Sequence, residues 1–103
     1  MSRRIVRFGS ERAVRLFLRS TPSVRAGSVQ GWCARDGMSR LAIIVPAKIA
    51  PRAVDRARLR RVVWTAVQGM REEGLQTASL SIRIVSSSES LPKDLQALFQ
   101  SFL

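Results

Sequence analysis

The sequence contains no histidine, no tyrosine, one cysteine and only seven acidic side chains among its 103 residues. Without histidine, neither a Ser-His-Asp triad nor a Cys-His pair can form, and the usual donors of a zinc site are missing. Because Cys33 is the only cysteine, no disulfide can form within the chain. The acids are scattered; Glu72 and Glu73 alone are adjacent, and adjacent residues of a helix do not share a face. We therefore expect no catalytic residue, no metal and no cofactor bound by the protein itself.

Long apolar runs are also missing. No stretch approaches the ~20 apolar residues of a membrane-spanning helix, and no secretory signal pattern is present. We expect neither a membrane nor a small-molecule partner. The first twenty residues are rich in arginine and poor in acids, which is also typical of a mitochondrial transit peptide. Because residues 12–18 fit a helix of the domain itself, we favour a cytoplasmic protein with one domain over residues 1–103.

Arginine is what the sequence has in excess. It outnumbers lysine 16 to 2, the net charge is +11, and residues 1–61 carry a charge of +12 against −1 for residues 62–103. Solubility alone does not favour arginine over lysine, whereas the planar guanidinium fork fits phosphate. The densest segment, residues 52–61, holds five arginines and one acid. This pattern indicates a polyanion-binding surface, with RNA as the expected partner; the alternative is a solvated helix face.

Hydrophobic periodicity predicts the order α-β-β-α-β-α, with a short extended segment at residues 5–8. A first helix follows the N-cap Ser10 and ends before Pro22. A strand at 28–35 would place Trp32 opposite Val29 and Cys33 on a half-exposed sheet. The Asp-Gly pair at 36–37 is a hairpin signal, and the apolar run at 41–45 predicts a central strand that is covered on both faces.

The second half of the chain completes the pattern. A long helix is predicted from about residue 52 to 71, with Arg58 and Arg61 pointing away from its buried stripe of Leu59, Val62, Val63, Ala66, Val67 and Met70. Residues 80–84 alternate as a third strand. Ser90 and Pro92 begin a last helix, whose apolar stripe is Leu91, Leu95, Leu98, Phe99 and Phe102. The predicted fold class is α+β, an α/β sandwich around a three- or four-stranded sheet.

The arginine segment and the element order resemble the protein subunit of bacterial ribonuclease P. That family has a Lys-x-x-Gly-x-Ala-Val-x-Arg-Asn-Arg-x-Lys-Arg pattern running from a strand end into the long helix. Here residues 48–61 match its spacing without a gap, from Lys48 through Ala53 and Val54 to the arginines. Ala57 replaces the asparagine and Arg60 replaces the second lysine. In the first helix, Val14 and Leu18 stand where the family often has aromatic residues.

The resemblance implies a definite mechanism and fold. The RNA subunit would be the catalyst, using magnesium to remove the 5′ leader of precursor tRNA, and the fold would contain a left-handed β-α-β crossover. The long helix would dock on the catalytic RNA through Lys48, Arg52, Arg56, Arg58, Arg60 and Arg61. A cleft between the first helix and the sheet would hold the leader through Arg15, Phe17, Leu18 and Trp32.

Other interpretations of the sequence stay open. Phe17 fits core packing better than base stacking, whereas Trp32 fits both equally well. A structural or ribosome-associated RNA-binding protein of similar fold, with no role in tRNA processing, is the main alternative. A stand-alone protein nuclease is a third, against which the missing histidine and the scattered acids argue.

Overall fold

Residues 6–103, which the computed structural model describes, form three helices and one five-stranded sheet. In chain order the elements are β1 (Val6–Arg7), α1 (Glu11–Ser20), β2 (Ser23–Ala26), β3 (Val29–Ala34), β4 (Arg40–Ile44), α2 (Ala53–Arg71), β5 (Ser79–Ile84) and α3 (Leu91–Phe102). The strands lie in the order β1-β4-β5-β3-β2. Strands β1, β4 and β5 run parallel, whereas β3 is antiparallel to β5 and β2. The α+β class is confirmed, but the sheet has five strands rather than the predicted three or four. The two-residue β1 lies within the predicted extended segment, and the strand that the sequence did not predict is β2.

The pairing register sends alternate residues to the two faces of the sheet. One face carries Leu80, Ile82 and Ile84 of β5, which pair with Cys33, Gly31 and Val29 of β3. This face packs on α2 and α3, and its three β5 side chains are buried. The helices complete the core with Val63 and Val67 of α2 and with Leu91, Leu95, Leu98 and Phe99 of α3. The predicted apolar stripe of the last helix is thus confirmed.

Helix α1 lies on the opposite face of the sheet. Its N-cap Ser10 accepts a hydrogen bond at Oγ from the backbone N–H of Ala13, 3.1 Å away. Phe17 is buried, and its ring centroid lies 5.1 Å from that of Phe8. The guanidinium of Arg40, on β4, lies 4.5 Å from the Phe8 centroid and 6.0 Å from the Phe17 centroid. This stack of one cation and two rings holds α1 against the sheet.

The predicted hairpin at residues 36–37 is wrong. Strands β3 and β4 do not pair, because β5 lies between them. The carboxylate of Asp36 instead accepts hydrogen bonds from Met38 N, Ser79 Oγ and Arg40 Nη2 at 2.9, 2.9 and 3.1 Å. Burial raises the pKa of Asp36, but these donors and the Arg40 charge outweigh it and lower the pKa. The Asp-Gly turn therefore belongs to the connection between β3 and β4, and Asp36 fixes this connection to the start of β5.

The central strand is β5, which corrects the prediction that residues 41–45 form the centre of the sheet. The outer neighbour of β4 is only two residues long, so Ile43 and Ile44 are half-buried. Strand β5 has longer partners on both sides and is buried at five of its six positions. Because Ser79 and Ser81 have small side chains, the polar face of β5 that carries them can also be buried. The hairpin of the fold joins β2 and β3 at Gly27, whose φ of +58° suits glycine.

Helix α2 has the predicted bounds and a slightly rotated buried face. Val63 and Val67 are fully buried, but Val62 is 43% exposed, which corrects its predicted place in the stripe. Arg71 is buried at the end of the helix and donates hydrogen bonds to Ser39 Oγ and Gln76 O. The β4-α2-β5 connection joins neighbouring parallel strands, as the resemblance implies, and its left hand stays a prediction. Among residues 6–103, no helix combines the length and the apolar character that a membrane span requires.

Candidate nucleic-acid interface

The first half of α2 presents a cluster of cations, which we call the arginine surface: Arg52, Arg56, Arg58, Arg60 and Arg61. All except the half-buried Arg56 are exposed. Within residues 6–103, the one ion pair of the cluster joins Arg52 Nε to Asp55 Oδ2 at 3.6 Å. The positive end of the helix dipole lies at the same place and adds to the field. The arrangement leaves most of the positive charge available to an external polyanion.

Arg56 also shapes the turn that precedes the helix. Its Nη1 donates to the backbone carbonyls of Ala50 and Pro51 at 3.0 and 2.8 Å. The same turn carries Lys48, which is exposed, and is closed by the backbone N–H groups of Ile49 and Ala50 donating to the Pro46 carbonyl. The sequence-predicted RNA ligands from Lys48 to Arg61 therefore lie on one continuous segment of turn and helix. Their role as RNA ligands stays a prediction.

A cleft of about 860 Å³ opens between α1, the sheet and α2. Beyond Leu41 the strand β1 no longer pairs with β4, so the sheet edge opens into this space. The lining comprises Arg7, Phe8, Ser10, Glu11, Val14, Arg15 and Leu18 on the α1 side, residues 41–45 and Arg83 of the sheet, and Arg60 and Trp64 of α2. Four of these side chains are cationic and one is acidic. The cleft therefore suits an anionic and partly apolar ligand such as unpaired RNA.

The sequence-predicted cleft residues divide into two pairs. Arg15 and Leu18 line the cleft, on the helix face that looks at the sheet. Phe17 and Trp32 are each 6% exposed, which agrees with core packing, one of the two interpretations that the sequence left open for them. Trp32 is covered on the α1-facing side of the sheet, where the Arg83 guanidinium carbon lies 5.6 Å from its ring centroid. Neither ring offers a free face to a nucleotide in this structure, and their part in leader binding stays a prediction.

Arg83 and Trp64 are among the lining residues that sequence reasoning did not assign to the cleft. Arg83 follows Ser79 and Ser81 on the polar face of β5, and this row of polar residues on one side of a strand was the available signal. Trp64 lies one helical turn after Arg60, at the edge of the α2 stripe, where it both packs on the core and lines the cleft. Because Arg60 belongs to the arginine surface and also lines the cleft, the two surfaces meet at that side chain.

A basic α+β domain with an arginine-rich helix start and a cationic cleft is an RNA-binding protein of the kind that works inside a ribonucleoprotein. In residues 6–103 no group of three or more His, Cys, Asp or Glu side chains is placed to hold a metal ion. The chain belongs to the ribonuclease P protein family, whose sequence model, described as ribonuclease P, matches residues 3–103. It has the role of the protein subunit of ribonuclease P, with RNA as its partner.

Two solved structures of the Staphylococcus aureus RNase P protein share the fold. A mutant described as having defective mRNA degradation activity is 12% identical, with a TM-score of 0.75 over 93% of this chain and 86% of that one. A structure of that protein at 2.0 Å is 12% identical, with a TM-score of 0.69 over 95% of this chain and 92% of that one. No curated protein sequence matches this chain. At such low identity the two structures support the fold, and the family match supports the role.

Proposed function

We propose that the chain assists an RNA-catalysed cleavage that removes the 5′ leader from precursor tRNA in the cytoplasm. The arginine surface docks on the catalytic RNA, and the cleft between α1 and the sheet receives the leader. The divalent-metal chemistry, normally with magnesium, belongs to the RNA subunit in this proposal. The side chains of the protein bind phosphates and orient the substrate.

The observation that carries the proposal is the placement of two cationic surfaces on one domain. Arg58 and Arg61 are exposed on α2, which packs on one face of the sheet, whereas Arg15 projects from α1 on the other face. Arg60 lines the cleft from α2 and joins the two surfaces. Phosphate contacts on both sides would hold the leader next to the RNA subunit without any protein group at the scissile bond.

A cleavage assay tests the proposal. The protein is added to a bacterial ribonuclease P RNA at low magnesium with precursor tRNA as substrate, and the rate is compared with RNA alone and with protein alone. We expect the protein to stimulate cleavage at the mature 5′ end and to cleave nothing by itself. Cleavage by the protein alone would indicate a stand-alone nuclease. Absence of stimulation across the magnesium range would favour a ribosome-associated or structural RNA-binding protein.

A further inference from the structure

The floor of the cleft contains an arginine whose charge the protein does not neutralise. Arg83 lies on the central strand β5, between Gln30 of β3 and Ile44 of β4, on the face that looks at α1. It is half-buried and lines the cleft. Among residues 6–103, no acidic side chain forms an ion pair with Arg83; its contact is with the ring of Trp32, 5.6 Å from the guanidinium carbon.

Arg40 provides a comparison within the same sheet face. Its guanidinium also lies over aromatic rings, those of Phe8 and Phe17. Unlike Arg83, it is bound on its polar side, by Asp36 Oδ2 at 3.1 Å and by Ser79 Oγ at 3.1 Å. Arg40 is therefore satisfied inside the protein. Arg83 has the same aromatic support and lacks the anion, so its polar side is available to a ligand.

Trp32 and Phe17, the two rings predicted to contact the leader, are covered, whereas Phe8 and Trp64 line the cleft and are half-buried. Trp32 lies under Arg83, and Phe17 is buried against Phe8. The cations around the opening come from four separate elements, with Arg7 on β1, Arg15 on α1, Arg83 on β5 and Arg60 on α2. Glu11 is the one acid among the lining residues. Cations distributed in this way fit a chain of repeated phosphates better than a single small anion.

We propose that Arg83, which lies over Trp32, binds the phosphodiester backbone of the leader at the floor of the cleft, and that leader recognition by this chain is independent of base sequence. This inference rests on the proposed function, in which the cleft receives the leader. A guanidinium fork makes charge-assisted hydrogen bonds to phosphate oxygens, and such contacts carry no information about the base. Trp32 acts as a positioning residue that holds the Arg83 guanidinium at the floor of the cleft.

The experiment measures how tightly the holoenzyme, formed by this chain and its RNA subunit, binds precursor tRNA with and without the leader. Arg83→Met removes the charge while keeping an aliphatic chain over Trp32, and Arg83→Lys keeps the charge without the fork. Lys93→Met is the matched control, because Lys93 is exposed on α3, beyond the opposite face of the sheet. Thermal melting shows whether each variant is folded. If Arg83→Met does not fold, the comparison of Arg83→Lys with the wild type tests the proposal instead.

We expect Arg83→Met to reduce the leader contribution to affinity about tenfold, as for loss of a charged hydrogen bond, with Arg83→Lys in between and Lys93→Met unchanged. Neutral methylphosphonate linkages in the leader should weaken binding to the wild-type holoenzyme. They should cause little further loss of affinity in the Arg83→Met holoenzyme. Abasic leader nucleotides should leave affinity within about twofold of the intact leader, since phosphate contacts persist.

Two contrary results lead to different conclusions. If the wild-type holoenzyme binds precursor tRNA and leaderless tRNA equally, the cleft does not receive the leader and the proposed function is wrong. If the wild type prefers the leader but Arg83→Met keeps that preference, the inference about Arg83 is wrong while the proposed function stands. A large loss with abasic leaders would also overturn it, and would point to base stacking on Trp64 or on a ring that becomes exposed.

Discussion

Removing two exposed arginines from α2 should change how RNA binding depends on salt. Arg58 and Arg61 are exposed, form no ion pair among residues 6–103, and lie away from the buried Val63 and Val67. Each phosphate contact contributes about 0.7–0.9 to the slope of log affinity against log salt. The double variant Arg58→Ala/Arg61→Ala should therefore lower that slope by about 1.4–1.8.

The assay is a titration of the RNA subunit with labelled protein at 50, 100 and 200 mM salt. Over this fourfold range the affinity ratio of wild type to double variant should shrink by about 7–12-fold, which follows from the slope difference. The control Arg25→Ala/Lys93→Ala removes the same charge from β2 and α3, and its slope should stay close to that of the wild type. Equal slopes for the wild type and Arg58→Ala/Arg61→Ala would remove this helix face from the RNA interface.

Three further changes test the fold and its electrostatics. Val63→Asp should unfold the domain, at a cost of about 4 kcal/mol or more, because it buries an unpaired charge, whereas Val62→Asp, at an exposed position of the same helix, should melt close to the wild type. Gly31→Ala should lower stability by about 1–3 kcal/mol, since its Cβ would lie 2.7 Å from Leu98 Cδ2; unchanged urea denaturation would refute this. Asp36→Asn should lower the melting temperature at pH 7. The difference in melting temperature from the wild type should vanish as the pH falls through the pKa of Asp36, which lies below its usual 3.8. A difference that persists at that pH would show that the charge of Asp36 does not stabilise the turn.

The ionised carboxylate of Asp36 stabilises the folded protein at neutral pH. Its pKa is lower in the folded protein than its ordinary value of 3.8, so the unfolded chain binds the proton more readily. The hydrogen bonds of the carboxylate therefore contribute stability at neutral pH, and that contribution is lost on acidification. The asparagine variant has no charge to lose and should show a flatter stability curve between pH 5 and pH 2, a window that contains this titration.

Local patterns predicted the helices and the arginine surface well, because both depend on spacing within one element. The 3.6-residue period that buries Val63 and Val67 also places Arg58 and Arg61 outward. The order of the strands in the sheet was harder to predict from local patterns. Strand β5 reaches the centre by pairing with both β3 and β4, and Asp36 bonds to Ser79 across 43 residues of sequence. A turn signal at residues 36–37 does not reveal which strands it connects in space.

The cleft was only partly predictable for the same reason. Arg15 and Leu18 follow from the face of α1, but Arg83 and Trp64 come from elements far along the chain. Burial of Trp32 depends on the fold above it and on Arg83, whose position follows only from the pairing of β3 with β5. Sequence periodicity distinguishes the two faces of a strand, but it does not say which face another element will cover.

The separation of the two surfaces is tested most directly by binding of precursor tRNA, with and without its leader, to holoenzymes that carry either Arg58→Ala or Arg15→Ala. Both residues are exposed, one on α2 and one on α1. Arg15→Ala should weaken the preference for the leader and leave affinity for the RNA subunit nearly constant. Arg58→Ala should weaken affinity for the RNA subunit and leave the leader preference intact. The opposite pattern, or equal losses in both variants, would contradict the assignment of the arginine surface to the RNA subunit and the cleft to the leader.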